Sequence, residues 1–537
     1  MEFDYVIVGG GSAGCVMAAR LAENPKLKIC LIEAGGEGRD LAIRVPLGIA
    51  GTVPAFPFFR FANWAYETEP QAGLNGRRGY QPRGRGLGGS SAINAMLYTR
   101  GHPSDYDGWA AQGCTGWSWE DVLPWFRFSE RNERGTNAYH GFSGPLQVGD
   151  QKQPRQMSRA FVEAANEVGH PLNNDFNGPT QEGIGLYQVT QFFDGKKRGE
   201  RCSVAAAYLH PRMGWPNLHA ITDALATRLL FDNRRATGLE FRRNGQTQTV
   251  KARGEVILCA GVFGSPHLLK LSGIGPAEEL SRQGIPVIAD LPQVGENLQD
   301  HIDFVMNYRT SSTESVGYGL RGGWHLLSEA IKWWRTGEGL CATPAAEAGG
   351  FLKSHPDIDV PDLQFHFTAG LVDDHSRKLH WGYGYSAHVC VLRPHSRGSV
   401  TLRSAQATDA PRIDPRYLSD ERDAQKLRRG VEMLQMIMRA SPFDAYDKGE
   451  IHGHDRMQGR ELMDAIRNRA DTIYHPVGTC RMGRDADAVV DPMLRLRNIE
   501  NIRIVDASVM PTLIGGNTNA PTVMMAEKIA GEMKYHL

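Results

Sequence analysis

The sequence has no excess of charge of either sign. Of its 537 residues, 60 are lysine or arginine and 60 are aspartate or glutamate, so the formal net charge is zero. Proteins that bind nucleic acid, or that are held on membranes by polybasic segments, concentrate positive charge. The balance argues against a nucleic-acid partner and against polybasic attachment to a membrane.

Long hydrophobic runs are also absent. No apolar stretch approaches the ~18 residues of a membrane-spanning helix, and an apolar, strand-like run begins already at Phe3. We therefore expect no signal peptide, no spanning segment and a cytoplasmic location.

One aromatic segment, Pro54–Trp64 (PAFPFFRFANW), departs from this pattern. It predicts a loop packed on the body of the protein. The alternatives are a lid over a hydrophobic substrate entrance, or peripheral contact with the inner membrane.

The eight cysteines are scattered, and none forms a CxxC pair. No disulfide framework or zinc site is indicated, which is typical of a reducing compartment. His452 and His454 share a polar loop, but two such residues are more typical of a solvated turn than of a metal site. We expect no bound metal.

Glycine, by contrast, is abundant, with 61 residues against a usual share of ~7%. The first group lies between an apolar run, Phe3–Val8, and an amphipathic segment, Cys15–Glu23. A second apolar run, Leu27–Ile32, ends at Glu33. This order predicts a strand, a glycine turn, a helix and a strand with an acid at its tip.

Each glycine of this turn has a mechanical role in dinucleotide binding. Gly9 permits the tight turn, Gly11 lets the backbone approach a pyrophosphate, and Gly14 lets the helix lie close to the strand. Ser12 and Ala13 open the helix, whose N-terminus favours phosphate.

The acid at the strand tip completes this fingerprint. Glu33, followed by Ala34, stands 24 residues after Gly9, near the offset of a ribose-binding acid. A carboxylate there accepts hydrogen bonds from both ribose hydroxyls and disfavours NADP. FAD and NAD share this fingerprint, so the residues leave both open.

A second glycine-rich stretch, Pro82–Gly101, reads PRGRGLGGSSAINAMLYTRG. It predicts another phosphate-style or flavin-style cradle. Ser90 and Ser91 are suited to cap a helix over Ala92–Leu97. Further along, Pro266 suits the first turn of a helix within Gly261–Gly275.

The central region differs in character. Asp362–Phe367 (DLQFHF) alternates apolar and polar residues, which indicates a half-buried antiparallel strand. The α/β character returns at Asn501–Val505, so the chain is predicted to begin and end in one domain. We predict that this domain comprises residues 1–150, 196–310 and 471–537, and that a second domain comprises 151–195 and 311–470.

Taken together, the motifs resemble those of the glucose–methanol–choline oxidoreductases, which bind FAD. The resemblance covers essentially the whole chain. It is carried by GGGSAGCVMAARL from Gly9, by Pro82–Arg100, by Gly261–Gly275, by His475–Cys480 and by Gly516–Pro521. Within the family the sequence looks most like bacterial alcohol dehydrogenases that use a non-oxygen acceptor, with sorbose-type and choline-type dehydrogenases close to them.

The resemblance implies an α/β, Rossmann-like FAD-binding domain plus an α+β substrate domain with an antiparallel sheet. It implies that His475 is the catalytic base and Asn517 its partner. It also implies a set of residues that contact FAD: Gly88, Gly89, Ser90, Asn94, Ala95, Ala226, Asp506, Ala507, Asn519 and Thr522. Some members attach FAD covalently through a histidine before the asparagine of the first signature; Ile93 holds that position here, so we expect non-covalent FAD.

The implied reaction is oxidation of a primary alcohol to an aldehyde, with electrons passed to a quinone, an electron-transfer protein or oxygen. A neutral histidine suits proton removal because its reference pKa of about 6.5 lies near working pH. His301 and His366 are expected to be structural, whereas Glu347 could face a polar or cationic group of the substrate. The rival interpretations are a nicotinamide dehydrogenase and a flavoprotein that does not oxidise alcohols.

Overall fold

Two seven-stranded sheets organise the chain in the computed structural model, which describes residues 1–535. In the first sheet, Glu2–Val8 is central and pairs in parallel with Ile29–Ile32 and Gln246–Leu258. Both faces of this strand are covered, as its continuous apolar run predicts. The strands in spatial order are Leu218–Ile221, Ile29–Ile32, Glu2–Val8, Gln246–Leu258, Arg235–Arg243 and Ala224–Asp232, with Ile502–Ile504 also paired to Gln246–Leu258.

The second sheet is antiparallel throughout. Its strands in spatial order are Asp471–Thr472, Ile302–Thr310, Gly382–Val391, Leu363–Thr368, Ala346–Leu352 and Gly183–Leu186, with Gly317–Tyr318 also paired to Gly382–Val391. The predicted alternating strand is present, but its expected half-burial is wrong. Leu363–Thr368 is buried on both faces, because Gln364 bonds to Asn517 and His366 lines an internal cavity.

Four two-stranded pairs complete the β-structure of the described residues. They are Tyr66–Glu67 with Tyr80–Gln81, Glu130–Asn132 with Leu146–Val148, Ile274–Gly275 with Ala289–Asp290, and Ser399–Thr401 with Arg412–Asp414. Ile302–Thr310 and Asp471–Thr472 pair within the second sheet, and the predicted domain boundaries near residues 310 and 471 stay a prediction.

Helices cover the faces of both sheets. The α-helices are Ser12–Leu21, Leu41–Arg44, Ile49–Thr52, Pro103–Ala111, Trp119–Ser129, Gln156–Glu167, Gly261–Leu271, Ala277–Arg282, Leu320–Thr336, Glu421–Met438, Gly459–Arg469 and Asn519–Tyr535. The first and last of them pack together, and Arg20 forms a two-bond ion pair with Glu527 at 2.8 Å. Within residues 1–535, none of the helices has the length and apolar character that a membrane crossing requires.

The helix predicted to start near Pro266 begins five residues earlier, at Gly261. Proline inside a helix lacks an N–H and leaves the carbonyl four residues before it without a helical donor. Here that carbonyl belongs to Val262, and Thr479 donates its hydroxyl to it at 2.6 Å. A residue far away in sequence therefore makes the internal proline tolerable.

Candidate active site

A cavity of about 870 Å³ lies between the two sheets. Val8 and Ile32 line it from the first sheet, and His366, Thr368 and His388 from the second. All the predicted cofactor and catalytic residues line it except Gly14 and Gly88: Gly9, Gly11, Ser12, Ala13, Glu33, Ala34, Gly89, Ser90, Asn94, Ala95, Ala226, His475, Asp506, Ala507, Asn517, Asn519 and Thr522. The fold thus brings together residues from seven separate stretches of sequence.

The first glycine turn forms one wall. A Cβ on Gly9 would lie 2.5 Å from the carbonyl oxygen of Cys259, and one on Gly14 would lie 1.9 Å from that of Gly9. These two glycines are required for packing. Gly11 is different, because a Cβ there would meet only the Cys259 oxygen, at 3.9 Å. Its missing side chain leaves open space at the cavity wall.

Two helix N-termini meet at this wall. The helix Ser12–Leu21 has Gly11 as its N-cap and no side-chain cap, so its first N–H groups are available to a ligand. The hydroxyl of Ser12 donates to Asn519 Oδ1 at 2.7 Å, and Asn519 opens the last helix. Two partial positive charges therefore face one open wall, an arrangement that fits the diphosphate of FAD.

Glu33 lies beside this turn and is nearly saturated with backbone donors. Its Oε2 accepts the N–H of Gly10 at 2.7 Å, and its Oε1 accepts those of Gly35 at 2.8 Å and Gly86 at 2.9 Å. A carboxylate has about four acceptor positions. The free position is on Oε2, which leaves room for one ribose hydroxyl. The expectation that Glu33 accepts from both ribose hydroxyls is therefore wrong, because three backbone N–H groups already occupy the other positions.

The second glycine-rich stretch packs directly against the first. Gly88 donates its N–H to the Gly10 oxygen at 2.7 Å, and a Cβ on Gly89 would lie 2.7 Å from Gly11 Cα. The helix expected over Ala92–Leu97 is wrong: a short 3₁₀ turn ends at Ala92, and Met96 has a positive φ of 62°.

Side-chain bonds hold this stretch in its irregular path. The hydroxyl of Ser91 donates to the Gly88 oxygen at 2.6 Å and accepts the N–H of Val204 at 3.0 Å. The side-chain oxygen of Asn94 accepts from Arg201 at 2.9 Å. Val204 and Arg201 are far away in sequence, which is why a local capping argument could not detect them.

Asp506 and Ala226 enclose the cavity from the first sheet. The carboxylate of Asp506 accepts the N–H of Gly261 at 2.9 Å, the hydroxyl of Ser265 at 2.6 Å and the N–H of Ser508 at 2.9 Å. Burial raises its pKa. Its side chain thus bonds to the first residues of the helix Gly261–Leu271. Ala226 lies on the strand Ala224–Asp232.

At the other end of the cavity, His475 and Asn517 are hydrogen-bonded. His475 Nε2 lies 3.0 Å from Asn517 Nδ2. The amide oxygen of Asn517 accepts from Thr99 Oγ1 and from Gln364 Nε2, each at 3.0 Å. Thr99 also accepts the Asn517 N–H at 2.9 Å. These bonds fix the amide orientation, so Asn517 Nδ2 donates to His475 Nε2.

The opposite edge of the His475 ring faces His301. The Nδ1 atoms of the two rings lie 3.0 Å apart. The backbone N–H of His475 donates to Asp300 Oδ1 at 3.0 Å. Because Nε2 accepts from Asn517, neutral His475 carries its proton on Nδ1 and donates it to His301. Sequence reasoning placed His301 in the structural class, and it missed Thr99 and Gln364.

Burial lowers the pKa of His475 well below its ordinary value, and His301 and the Arg83 cation act in the same direction. Burial also lowers the pKa of His301 to about 3. Both rings are therefore neutral at working pH. The acceptor nitrogen of the His475 ring is Nε2, so this atom can take a proton once Asn517 no longer donates to it.

The second sheet contributes a wall that carries no acid. His366 lines the cavity, and so does His388, whose Nδ1 bonds to Asp303 at 2.9 Å. Glu347 does not face the cavity: it accepts from Ser158 Oγ at 2.7 Å and from Thr343 Oγ1 at 2.8 Å. None of the described cavity-lining residues from this sheet or its loops is acidic.

Comparison with known proteins agrees with this geometry. The GMC oxidoreductase family model matches residues 3–303 and 394–526. An alcohol dehydrogenase [acceptor] from Pseudomonas putida is 46% identical over 98% of this chain and 95% of its own length. The mitochondrial choline dehydrogenase of Homo sapiens is 42% identical over 99% of this chain and 90% of its own.

Solved structures show the same fold. The pyridoxine 4-oxidase from Mesorbium loti has a TM-score of 0.87 and 32% identity, with full coverage of both chains. A formate oxidase variant from Aspergillus oryzae, studied for its FAD modification, has a TM-score of 0.90 and 26% identity, covering 100% of this chain and 98% of that one.

This chain belongs to the GMC oxidoreductase family. It has the fold expected from the sequence, a Rossmann-like FAD-binding part and a part built on an antiparallel sheet. It is an oxidoreductase, and FAD is its cofactor. The open glycine wall and the paired helix N-termini are the features of this structure that fit the cofactor.

Proposed function

We propose that this protein oxidises a primary alcohol to an aldehyde. The observation that supports the proposal is the pairing of His475 Nε2, an acceptor, with Asn517 Nδ2, a donor, at 3.0 Å. A substrate hydroxyl that takes the place of this bond can use both groups. Its oxygen accepts an Asn517 N–H, and its proton passes to His475 Nε2, whose lone pair Asn517 then no longer occupies. Relatives that act on alcohols and on choline, as their names state, support the same CH–OH chemistry.

The residues divide the proton chemistry between them. His475 takes the hydroxyl proton at Nε2, while its Nδ1–H bond to His301 holds the ring in position. Asn517 stabilises negative charge that develops on the substrate oxygen, a preorganised electrostatic effect. Bound FAD supplies flavin N5 as the acceptor of the hydride that leaves the substrate carbon. The substrate thus loses one proton and one hydride and gains a C=O double bond.

The second-sheet end of the lining offers no carboxylate to a quaternary ammonium alcohol such as choline. A cation in the cavity needs a counter-charge or aromatic faces. None of the described residues that line the second-sheet wall is acidic, and Glu347 is bonded elsewhere. Aromatic side chains are present there, Tyr318 and Tyr474 among them. Apolar residues such as Val316 and Leu371 also line this region.

For the acceptor, we propose a quinone or another non-oxygen acceptor, on the similarity to the alcohol dehydrogenase [acceptor]. The alternative is an oxidase, which the solved oxidases with the same fold support. After anaerobic bleaching of the flavin bands by an alcohol, slow recovery in air that a quinone accelerates supports the dehydrogenase. Rapid recovery in air supports the oxidase.

Non-covalent attachment of FAD is part of the proposal, because buried Ile93 offers no nucleophile at the attachment position. Acid precipitation should release all the flavin into the supernatant. Yellow colour that stays with the precipitate would contradict non-covalent binding.

The direct test of the mechanism is His475→Ala. We expect the variant to retain FAD and to lose reductive turnover by at least about a hundredfold, the lower range of general-base catalysis. His355→Ala, a change at an exposed surface histidine, serves as the control and should be unaffected. Turnover of His475→Ala near the wild-type rate, with FAD bound, would refute the assignment of the base.

A further inference from the structure

The surface helix Leu320–Thr336 turns an apolar face to the outside. Its exposed apolar residues follow spacings of four, three, four and three, which places them on one stripe. They are Leu320 (88% exposed), Trp324 (73%), Leu327 (52%), Ile331 (46%) and Trp334 (79%). A stripe of this kind normally faces a protein core.

The same helix has a second, buried face that already anchors it. Trp333 is buried and donates its indole N–H to the Gly199 oxygen at 2.9 Å. With Cys341 and Ala342 it forms a small apolar cluster, against which Val45 and Leu47 pack. The helix is therefore docked by its opposite side, and the outer stripe plays no part in holding it on the fold.

Positive charge borders the stripe. Arg321 and Arg335 are exposed, and neither forms an ion pair with any residue among 1–535. Lys332 reaches the side-chain oxygen of Gln153 at 2.9 Å, so its charge also stays uncompensated. The acid of the helix, Glu329, points inward and accepts the N–H of Leu340. The border is locally basic although the whole chain has no net charge.

The apolar surface continues beyond the helix and reaches the cavity. Trp381 is exposed, and a Cβ on Gly319, just before the helix, would lie 3.3 Å from its ring. Tyr318 and Val316, which precede the helix, line the cavity itself. The stripe therefore lies next to a segment that lines the cavity.

We propose that this stripe docks the protein on the surface of an anionic lipid bilayer. Tryptophan and leucine on one face with arginine and lysine beside them form the pattern of an interfacial helix, whose apolar face enters the headgroup boundary. The basic border complements anionic headgroups, a match that a second copy of the same basic surface would not provide. Docking would bring the cavity close to molecules dissolved in the membrane.

The test is sedimentation of the FAD-loaded protein with phosphatidylglycerol–phosphatidylcholine vesicles, compared with pure phosphatidylcholine vesicles. We expect binding to the anionic vesicles that weakens with salt. The double variant W324S/W334S should bind at least about tenfold more weakly, because it removes apolar side chains that enter the headgroup boundary. R321Q/R335Q should bind about tenfold more weakly, because it removes positive charge that attracts anionic headgroups. Met436→Ser, at an exposed apolar residue of another helix, should bind like the wild type.

Folding of each variant is checked by its flavin spectrum. If W324S/W334S fails to fold, quenching of wild-type tryptophan fluorescence by brominated lipids, compared with W324F, reports on the same contact. Vesicle binding is read without substrate, so it does not depend on the proposed reaction. No binding to anionic vesicles, or equal binding by the wild type and W324S/W334S, would overturn the proposal. A wild-type dimer that becomes a monomer in W324S/W334S would also overturn the proposal, because a second copy of the chain would then cover the stripe.

Discussion

At the first-sheet end of the cavity the walls are backbone, whereas at the second-sheet end they are side chains. The first end consists of glycine turns, helix N-termini and one acid, Glu33, which itself bonds to three backbone N–H groups. The second end depends on His475, Asn517, His301 and Gln364. A diphosphate is recognised by N–H groups and helix ends, while proton transfer needs a titratable group in one orientation.

The two ends should therefore fail differently when they are changed. A damaged backbone wall should cost the cofactor, and a damaged side-chain network should cost the rate while the cofactor stays bound. The predictions below test this separation, from the largest expected effect to the smallest.

Gly14→Ala should abolish FAD retention, since the added Cβ would lie 1.9 Å from the Gly9 oxygen and force the helix off the strand. Flavin absorbance per mole of purified protein measures this. Gly36→Ala is the matched control, because nothing lies within 4 Å of its Cβ position. A Gly14→Ala protein that is yellow and active would show that close packing at Gly14 is not required for FAD binding.

Glu33→Gln should weaken FAD binding by roughly 10- to 100-fold, because charged hydrogen bonds contribute about 1.5–3 kcal/mol and the amide cannot accept on both sides. Reconstitution of the apoprotein measures the FAD dissociation constant. Turnover at saturating FAD should change little. Glu37→Gln, a nearby exposed acid paired with Arg39, is the control, and equal FAD binding by both variants would contradict the role of Glu33.

Thr99→Val removes two hydrogen bonds with Asn517, one to the amide oxygen and one from the backbone N–H. We expect turnover to fall by roughly 3- to 10-fold, the value of one ordinary hydrogen bond, because only the bond to the amide oxygen orients the amide that faces His475. FAD content should stay unchanged. Stopped-flow bleaching under anaerobic conditions separates the rate from substrate binding. Thr237→Val, whose hydroxyl donates to Leu230 on the outer strands, is the control; an equal loss in both variants would argue against a specific role for Thr99.

The pH dependence should be nearly flat between about pH 8 and about pH 6. The base must be neutral to act, and burial lowers the pKa of His475 well below its usual value, so the active form persists as the pH falls. Activity is lost only when the pH drops through that lowered pKa. An ordinary imidazole with a pKa near 6.5 would lose roughly three quarters of the rate at about pH 6, and such a loss in the reductive half-reaction would contradict the lowered pKa.

The first end of the cavity could be predicted closely from the sequence. Gly9, Gly11, Gly14 and Glu33 lie within one strand–turn–helix–strand unit, and local spacing defines their geometry. The second end could be predicted only in part. His475 and Asn517 came from a family resemblance, whereas His301, Thr99 and Gln364 lie 174, 418 and 153 positions from the residues they bond.

Local rules failed where distant partners intervened. The predicted helix over Ala92–Leu97 is absent because Val204 and Arg201 bind Ser91 and Asn94. The helix predicted to start near Pro266 starts at Gly261, because Thr479 satisfies the carbonyl that the proline leaves free. In both cases the deciding hydrogen bond crosses more than a hundred residues of chain.

By itself the sequence determined the dinucleotide turn, the family and the presence of a second, antiparallel sheet, because each is encoded in the order and period of neighbouring residues. Only the tertiary structure decided which nitrogen of His475 is free to accept a proton, that Glu347 is bonded away from the cavity, and that the helix Leu320–Thr336 shows an apolar stripe to the outside. These features depend on burial and on contacts between distant segments, and no local pattern of residues specifies either.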